Sequence, residues 1–170
     1  MREQSWLYSN TYRLIRQICS GHDKYSIGLG RTTAWQIEGF PALVQPNLTT
    51  QEEVFGYLQV EEVKPVLLET SLKLGGVLID GLAWNPVALN ELETKQVTHC
   101  LFRANLYHED LPVSSFRSLG LYSQTAPYLS GRFNVSAPGA ELINLVHVSP
   151  VTKKQNCIES ISIVTNLRFA

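Results

Sequence analysis

The sequence predicts a mostly β domain with one or two short helices, α+β in class, with strands arranged as an antiparallel sandwich. Three observations lead there. Apolar residues recur at every second position in several stretches, most clearly from Val97 to Tyr107. Clusters of Gly, Pro, Asn and Asp separate these stretches. Helical spacing is confined to the first 22 residues and to one short segment near residue 50. The expected organisation is an N-terminal arm and helix over 1–22, followed by a single β-rich domain over 23–170.

Taken in order, Asn10 to Cys19 reads as a helix, because Tyr12, Ile15 and Cys19 fall on one face and Leu14 and Ile18 widen it. Ser9 or Asn10 can cap its start, and Ser20-Gly21 ends it. Trp6-Leu7-Tyr8 is expected to form an aromatic arm ahead of the helix. Tyr25 to Leu29 alternates as a strand and runs into the turn Gly30-Arg31-Thr32-Thr33, with Trp35 as an apolar lid. Gly28 and Gly30 allow close backbone approach or positive φ. Gln36 to Thr50 reads as loop, and Thr50-Gln51-Glu52-Glu53 has the form of a capping box, predicting a short helix.

Further strands are expected at Val63 to Leu68, Val77 to Asp80, Leu82 to Val87, Val97 to Tyr107, Phe116 to Ser123 and Cys157 to Phe169. Ala140 to Val148 fits strand or helix, and its β-branched residues favour strand slightly. Pro65 places the first of these at a sheet edge or bulge. Within Val97 to Tyr107, Cys100, Phe102, Ala104 and Leu106 share one face. A turn at His108-Glu109-Asp110-Leu111-Pro112 separates that strand from the next.

The composition narrows the function. The chain has 170 residues, 14 basic and 15 acidic, and a net charge of −1. No basic block exists to bind nucleic acid; Lys153-Lys154 is a solvated pair. Charged residues make up 17%, against about 25% in average domains, which suggests surface that meets protein rather than water. Cys19, Cys100 and Cys157 show neither a disulfide framework nor zinc spacing, and Cys100 and Cys157 are expected in the core. No signal peptide and no apolar run of spanning length are expected, so membrane insertion is not.

Catalytic motifs are missing too. There is no Gly-x-Ser-x-Gly elbow, no third glycine after Gly28-x-Gly30, and no lysine in Gly30-Arg31-Thr32-Thr33 to make a phosphate loop. His99 and Cys100 are adjacent on a strand and point apart, so they do not share a metal. The reading is therefore non-enzymatic, with no catalytic residue, metal or cofactor. Two alternatives stand beside it: a carbohydrate- or receptor-binding module with Trp35 and Trp84 as stacking platform, and a hydrolase assembled around His108 or His147.

Three segments in order resemble the baseplate-wedge and fibre-connecting proteins of contractile-tailed bacteriophages. They are Ile27-Gly28-Leu29-Gly30-Arg31-Thr32-Thr33-Ala34-Trp35, then Trp84-Asn85-Pro86-Val87, then the hairpin from Leu101 to Phe116-Arg117-Ser118-Leu119-Gly120-Leu121-Tyr122. Ala34 stands where the family usually has proline, and the loop that follows is less acidic than is usual there. The resemblance implies a structural subunit of a tail baseplate in the virion, synthesised in the host cytoplasm. Its implied partners are other baseplate or tail proteins and a tail fibre, in several copies within a symmetric assembly. It also implies that Arg31, Arg103 and Arg117 act as interface or strand-spanning donors. Trp35, Trp84 and Phe116 are the implied apolar anchors, with core packing as the competing role. The aromatic arm adds Trp6 and Tyr8 as contact residues.

Overall fold

A computed structural model describes residues 2–45, 47–110, 113, 115–123, 131–152 and 154–168, those before Tyr8 by backbone alone. Expectations placed on Pro46, Leu111-Pro112, Lys153, Phe169 and the side chain of Trp6 lie outside the described residues. Among the described residues the fold is mostly antiparallel β with one α-helix, α1 (Arg2–Ser20). Its strands are β1 (Tyr25–Gly30), β2 (Gly56–Gln59), β3 (Glu62–Glu69), β4 (Val77–Ile79), β5 (Leu82–Pro86), β6 (His99–Tyr107), β7 (Ser115–Ser123), β8 (Phe133–Asn134), β9 (Glu141–Thr152) and β10 (Ile158–Asn166). Two compact units emerge, one of Met1–His22, Glu62–Phe102 and Val164–Ala170, the other of Asp23–Glu61 and Arg103–Ile163.

In the first unit, α1 packs against β3. It does so because Thr11, Tyr12, Ile15 and Ile18 form one buried stripe at helical spacing. The helix begins well before Asn10, so residues 6–8 are helical turns and not an extended arm. Tyr8 stacks on Tyr12 one turn ahead at 6.3 Å, a pairing that only a helix brings about. The sheet runs β10-β6-β3-β5-β4, with β6 and β10 continuing into the second unit.

β3 is therefore an interior strand, although it carries Pro65. The sheet tolerates this because Pro65 needs only its carbonyl, which accepts from the Val87 amide at 2.9 Å. β4 and β5 form a two-residue hairpin, Ile79 facing Leu82. Asp80 and Gly81 have φ of 50° and 77°, the left-handed pair of a type I′ turn. No atom lies near a Cβ added at Gly81, so Gly81→Ala tests conformation alone. Urea unfolding is expected to read a loss of about 1 kcal/mol.

In the second unit the sheet runs β8-β2-β1-β7-β9. β1 is central, and Gly28 faces Gly120 of β7. Ile27, Leu29, Leu58, Leu119 and Leu121 fill the interior. Thr50 to Glu53 does not form the short helix that its capping-box pattern predicts. It is a turn in which Glu53 takes φ of 52°. The reason is tertiary: the Gln51 side chain is buried in the sheet and cannot leave for a helical register. Cys100 is fully buried, but Cys157 is exposed, in the turn ahead of β10 and not in the core.

Candidate functional site

The segment between β1 and β2 departs from regular structure, and its anchoring is unusually dense. Gly28 and Gly30 do not have positive φ; the left-handed residue is Arg31, at φ 58°. A non-glycine pays roughly 1 kcal/mol for that conformation. Its guanidinium offsets the strain by lying 3.9 Å from the Trp35 ring centroid and 3.1 Å from Glu52 Oε2. The Thr33 hydroxyl donates to Glu53 Oε1 at 2.7 Å, and the Thr32 hydroxyl reaches the same oxygen at 3.3 Å. The Thr33 hydroxyl is the main reason why the Glu53 carboxyl is held below the ordinary carboxylate range.

Farther along, the loop is tied to β7 and β9. Arg117 donates through Nε to Glu38 Oε1 at 2.8 Å and through Nη1 to the Thr32 carbonyl at 2.7 Å. Trp35 is 5% exposed and donates its indole N–H to the Val148 carbonyl at 2.9 Å. His147 stacks on Trp35 with ring centroids 4.9 Å apart, and its Nδ1 donates to the Ala42 carbonyl at 2.6 Å. A carbonyl can only accept, so Nδ1 carries the proton.

Behind the loop lies a buried polar knot. Gln51 Nε2 donates to the Gly28 carbonyl at 3.0 Å and to Ser118 Oγ at 2.9 Å, while its Oε1 accepts from the Tyr122 hydroxyl at 3.0 Å. A Cβ at Gly28 would lie 2.7 Å from Gln51 Oε1, and one at Gly120 only 2.3 Å from it. The two glycines face each other because the amide needs the space of two missing side chains. Burial pushes the Tyr122 hydroxyl up, so it stays a donor.

On its outer side the same loop presents Ile37 at 63%, Phe40 at 76% and Leu43 at 89% exposure. Together they make an exposed apolar surface on an anchored loop. The first unit holds a second such surface. Cross-strand pairs Leu68–Trp84, Val77–Trp84 and Ile79–Leu82 put these five side chains on one sheet face, where Leu68 and Leu82 are about half exposed.

The remaining sequence-predicted residues are dispersed. Phe116 is fully buried and packs near Phe55, so it fills the interior. Arg103 is partly buried on β6. Tyr8 lies under the Arg168 guanidinium at 5.3 Å. Trp84 tilts onto His99 at 4.8 Å. An open cleft of about 580 Å³ is walled by Thr49, Gln51, Tyr57, Tyr122 and Glu141 among others; neither Trp35 nor Trp84 lines it. Among the described residues, no three His, Cys, Asp or Glu side chains converge as metal ligands, and no helix is long and apolar enough to cross a membrane. Gln51 and Glu38 are the anchoring residues of this region that sequence reasoning missed. A glutamine followed by two acids carries no local mark of burial.

A family model described as Baseplate wedge 3 tail fiber network component matches residues 16–138. The chain belongs to this family. No curated protein matches the chain. The match spans all three motifs: the anchored turn at 30–35, the Trp84 step and the hairpin into β7. For this baseplate wedge family member, the glycines and Arg117 of those motifs have a direct physical account, since they seat Gln51 and hold the loop.

His99 adds a pH handle. Burial lowers its pKa from the ordinary 6.5, so it folds as the neutral ring. A depressed folded pKa gives stability that is present above about 6.5 and lost as pH falls through the folded value. The melting temperature is expected to drop on acidification below about pH 6.5, and His99→Gln to flatten that limb of the pH profile.

Proposed function

We propose that this chain is a non-catalytic structural subunit of a phage tail baseplate, docked to a neighbouring baseplate or tail-fibre component through the loop 36–48. One observation carries the reading: the loop is hydrogen-bonded from behind by Arg117, Trp35 and His147, yet it turns Ile37, Phe40 and Leu43 outward. A loop ordered before it binds loses little entropy on docking, so its apolar side chains contribute more of their burial energy to affinity. Large apolar contacts of this kind suit permanent assemblies. The chain would then be present in several copies within the virion tail.

In this proposal the predicted contact residues divide by role. Arg31, Trp35 and Arg117 set the loop's shape from inside. Trp84 contributes to the apolar face shared with Leu68 and Leu82, and Trp6, Tyr8 and Arg103 are further contact residues. Phe116 supports them from the core.

The test is a Phe40→Asp/Leu43→Asp double variant. Both side chains are exposed, so the melting temperature is expected to stay near that of the natural chain. Incorporation into baseplates, in particles grown on the variant in place of the natural chain, is expected to fall about 30-fold or more, as for removal of interface hot spots. Full incorporation would overturn the reading.

A further inference from the structure

The open cleft of about 580 Å³ lies wholly within the second unit, where the residues leading into β2 meet the start of β9. Its volume is that of a pocket for a small organic molecule. Two of its lining residues are locked in place by the buried knot: Gln51 is held by Gly28 and Ser118, and it holds the Tyr122 hydroxyl. Tyr57 and Tyr122 meet edge to face, with ring centroids 5.2 Å apart and planes at 78°. In that arrangement the pair itself covers at most one of its four ring faces. On the β9 side, Glu141 and Leu142 adjoin a bulge. Leu121 faces Asn144 while Tyr122 faces Leu142, which leaves Ile143 without a partner on β7. Bulges re-aim side chains and recur beside binding sites.

The knot uses up Gln51, but other polar groups of the cleft stay open. They are the hydroxyls of Thr49, Thr50 and Tyr57 and the carboxylate of Glu141. None of these four makes a side-chain hydrogen bond among the described residues. Thr49, Thr50 and Glu141 are exposed, and Tyr57 is partly buried. No Lys, Arg or His is among the described residues of the lining, so a phosphate or carboxylate ligand meets no counter-charge there. An ammonium ligand has donors only and would leave the Tyr57 O–H without an acceptor; burial pushes that hydroxyl up, which keeps it a donor. Sugar hydroxyls both donate and accept. They can donate to Glu141, accept from Tyr57 and exchange bonds with Thr49 and Thr50, while the apolar C–H face of the ring lies on a tyrosine.

We infer that this cleft is a binding site for a neutral saccharide, stacked on Tyr57 and hydrogen-bonded by Glu141, Thr49 and Thr50. It is separate from any platform built on Trp35 or Trp84, which line no part of it. It is also independent of the proposed docking through the loop 36–48.

Saturation-transfer difference NMR on the full chain tests it, with methyl β-D-glucopyranoside, methyl β-D-galactopyranoside, N-acetyl-D-glucosamine and maltose as probes. At least one probe is expected to bind saturably, with a Kd of about 1 mM. Glu141→Gln changes an exposed side chain and is expected to weaken that probe about tenfold, as for a lost bond to a charged acceptor. Tyr57→Ala is expected to abolish saturable binding. Tyr57→Phe keeps the ring that packs on Tyr122 and is expected to weaken binding about threefold, so the site is still tested if the alanine variant does not fold. The inference is overturned if no probe saturates below about 100 mM, or if Glu141→Gln and Tyr57→Phe leave the affinity unchanged. It is equally overturned if tetramethylammonium binds the cleft and the sugars do not. The readout needs no particle, so failure here leaves the docking proposal untouched, and a failed docking test leaves this site untouched.

Discussion

Gly120→Ala is expected to destabilise the chain by about 3 kcal/mol. The added carbon would sit 2.3 Å from Gln51 Oε1 and 2.8 Å from a Tyr122 ring carbon. Neither neighbour can withdraw freely. Gln51 is held by Gly28, Ser118 and Tyr122, and the Tyr122 ring meets Tyr57 edge-on at 5.2 Å. Moving the amide would leave the Tyr122 hydroxyl and the Ser118 hydroxyl with lost partners in the interior, each a cost of about 1–3 kcal/mol.

A double-mutant cycle distinguishes this from general crowding. Gln51→Ala alone is expected to cost about 2 kcal/mol, because it strips three polar groups of a partner. Combined with Gly120→Ala, the total is expected to fall short of the sum by about 1 kcal/mol or more, since the closest clash has gone while the Tyr122 contact remains. Urea midpoints with an unchanged slope would measure it. A Gly120→Ala cost within about 0.5 kcal/mol, the range of an ordinary surface substitution, would falsify the knot as described.

Arg117→Ala is expected to release the loop with a smaller effect on the whole fold. The guanidinium is nearly enclosed, with its side chain 10% exposed, whereas Glu38 is 41% exposed. Solvent can therefore take over Glu38, while the Thr32 carbonyl loses a part-buried donor. The expected loss is about 2 kcal/mol. The diagnostic readout is local: amide exchange should rise across 31–45 while β1 and β7 stay protected. Arg117→Lys is expected to recover only part of it, because one ammonium does not reproduce the forked contact to Glu38 and Thr32. If exchange rises uniformly, the arginine supports the sheet and not the loop. The same variant links stability to docking, since a disordered loop must regain its order on binding and so binds more weakly.

The segments that could be read without a structure are those whose signal is local. Alternation in β1, β6, β7 and β10 depends on residues two apart, and the stripe Tyr12, Ile15, Ile18 on residues three and four apart. Asp80-Gly81 announces its turn within a dipeptide. The three motifs of the baseplate wedge family are likewise short and contiguous. Each is decided by sterics and solvent within a few residues, so sequence by itself determined the fold class, most strands and the family.

Tertiary structure alone decided what depends on residues distant in the chain. Thr50-Gln51-Glu52-Glu53 has a good local reason to start a helix. It does not, because glycines on two other strands leave a space that fits the Gln51 amide and nothing larger. Pro65 has a good local reason to sit at an edge, yet Val87 needs only its carbonyl. Packing brings together groups that no spacing rule connects. Burial of a polar side chain is settled by its partners, and those partners are chosen by strand pairing, which no window of neighbouring residues contains.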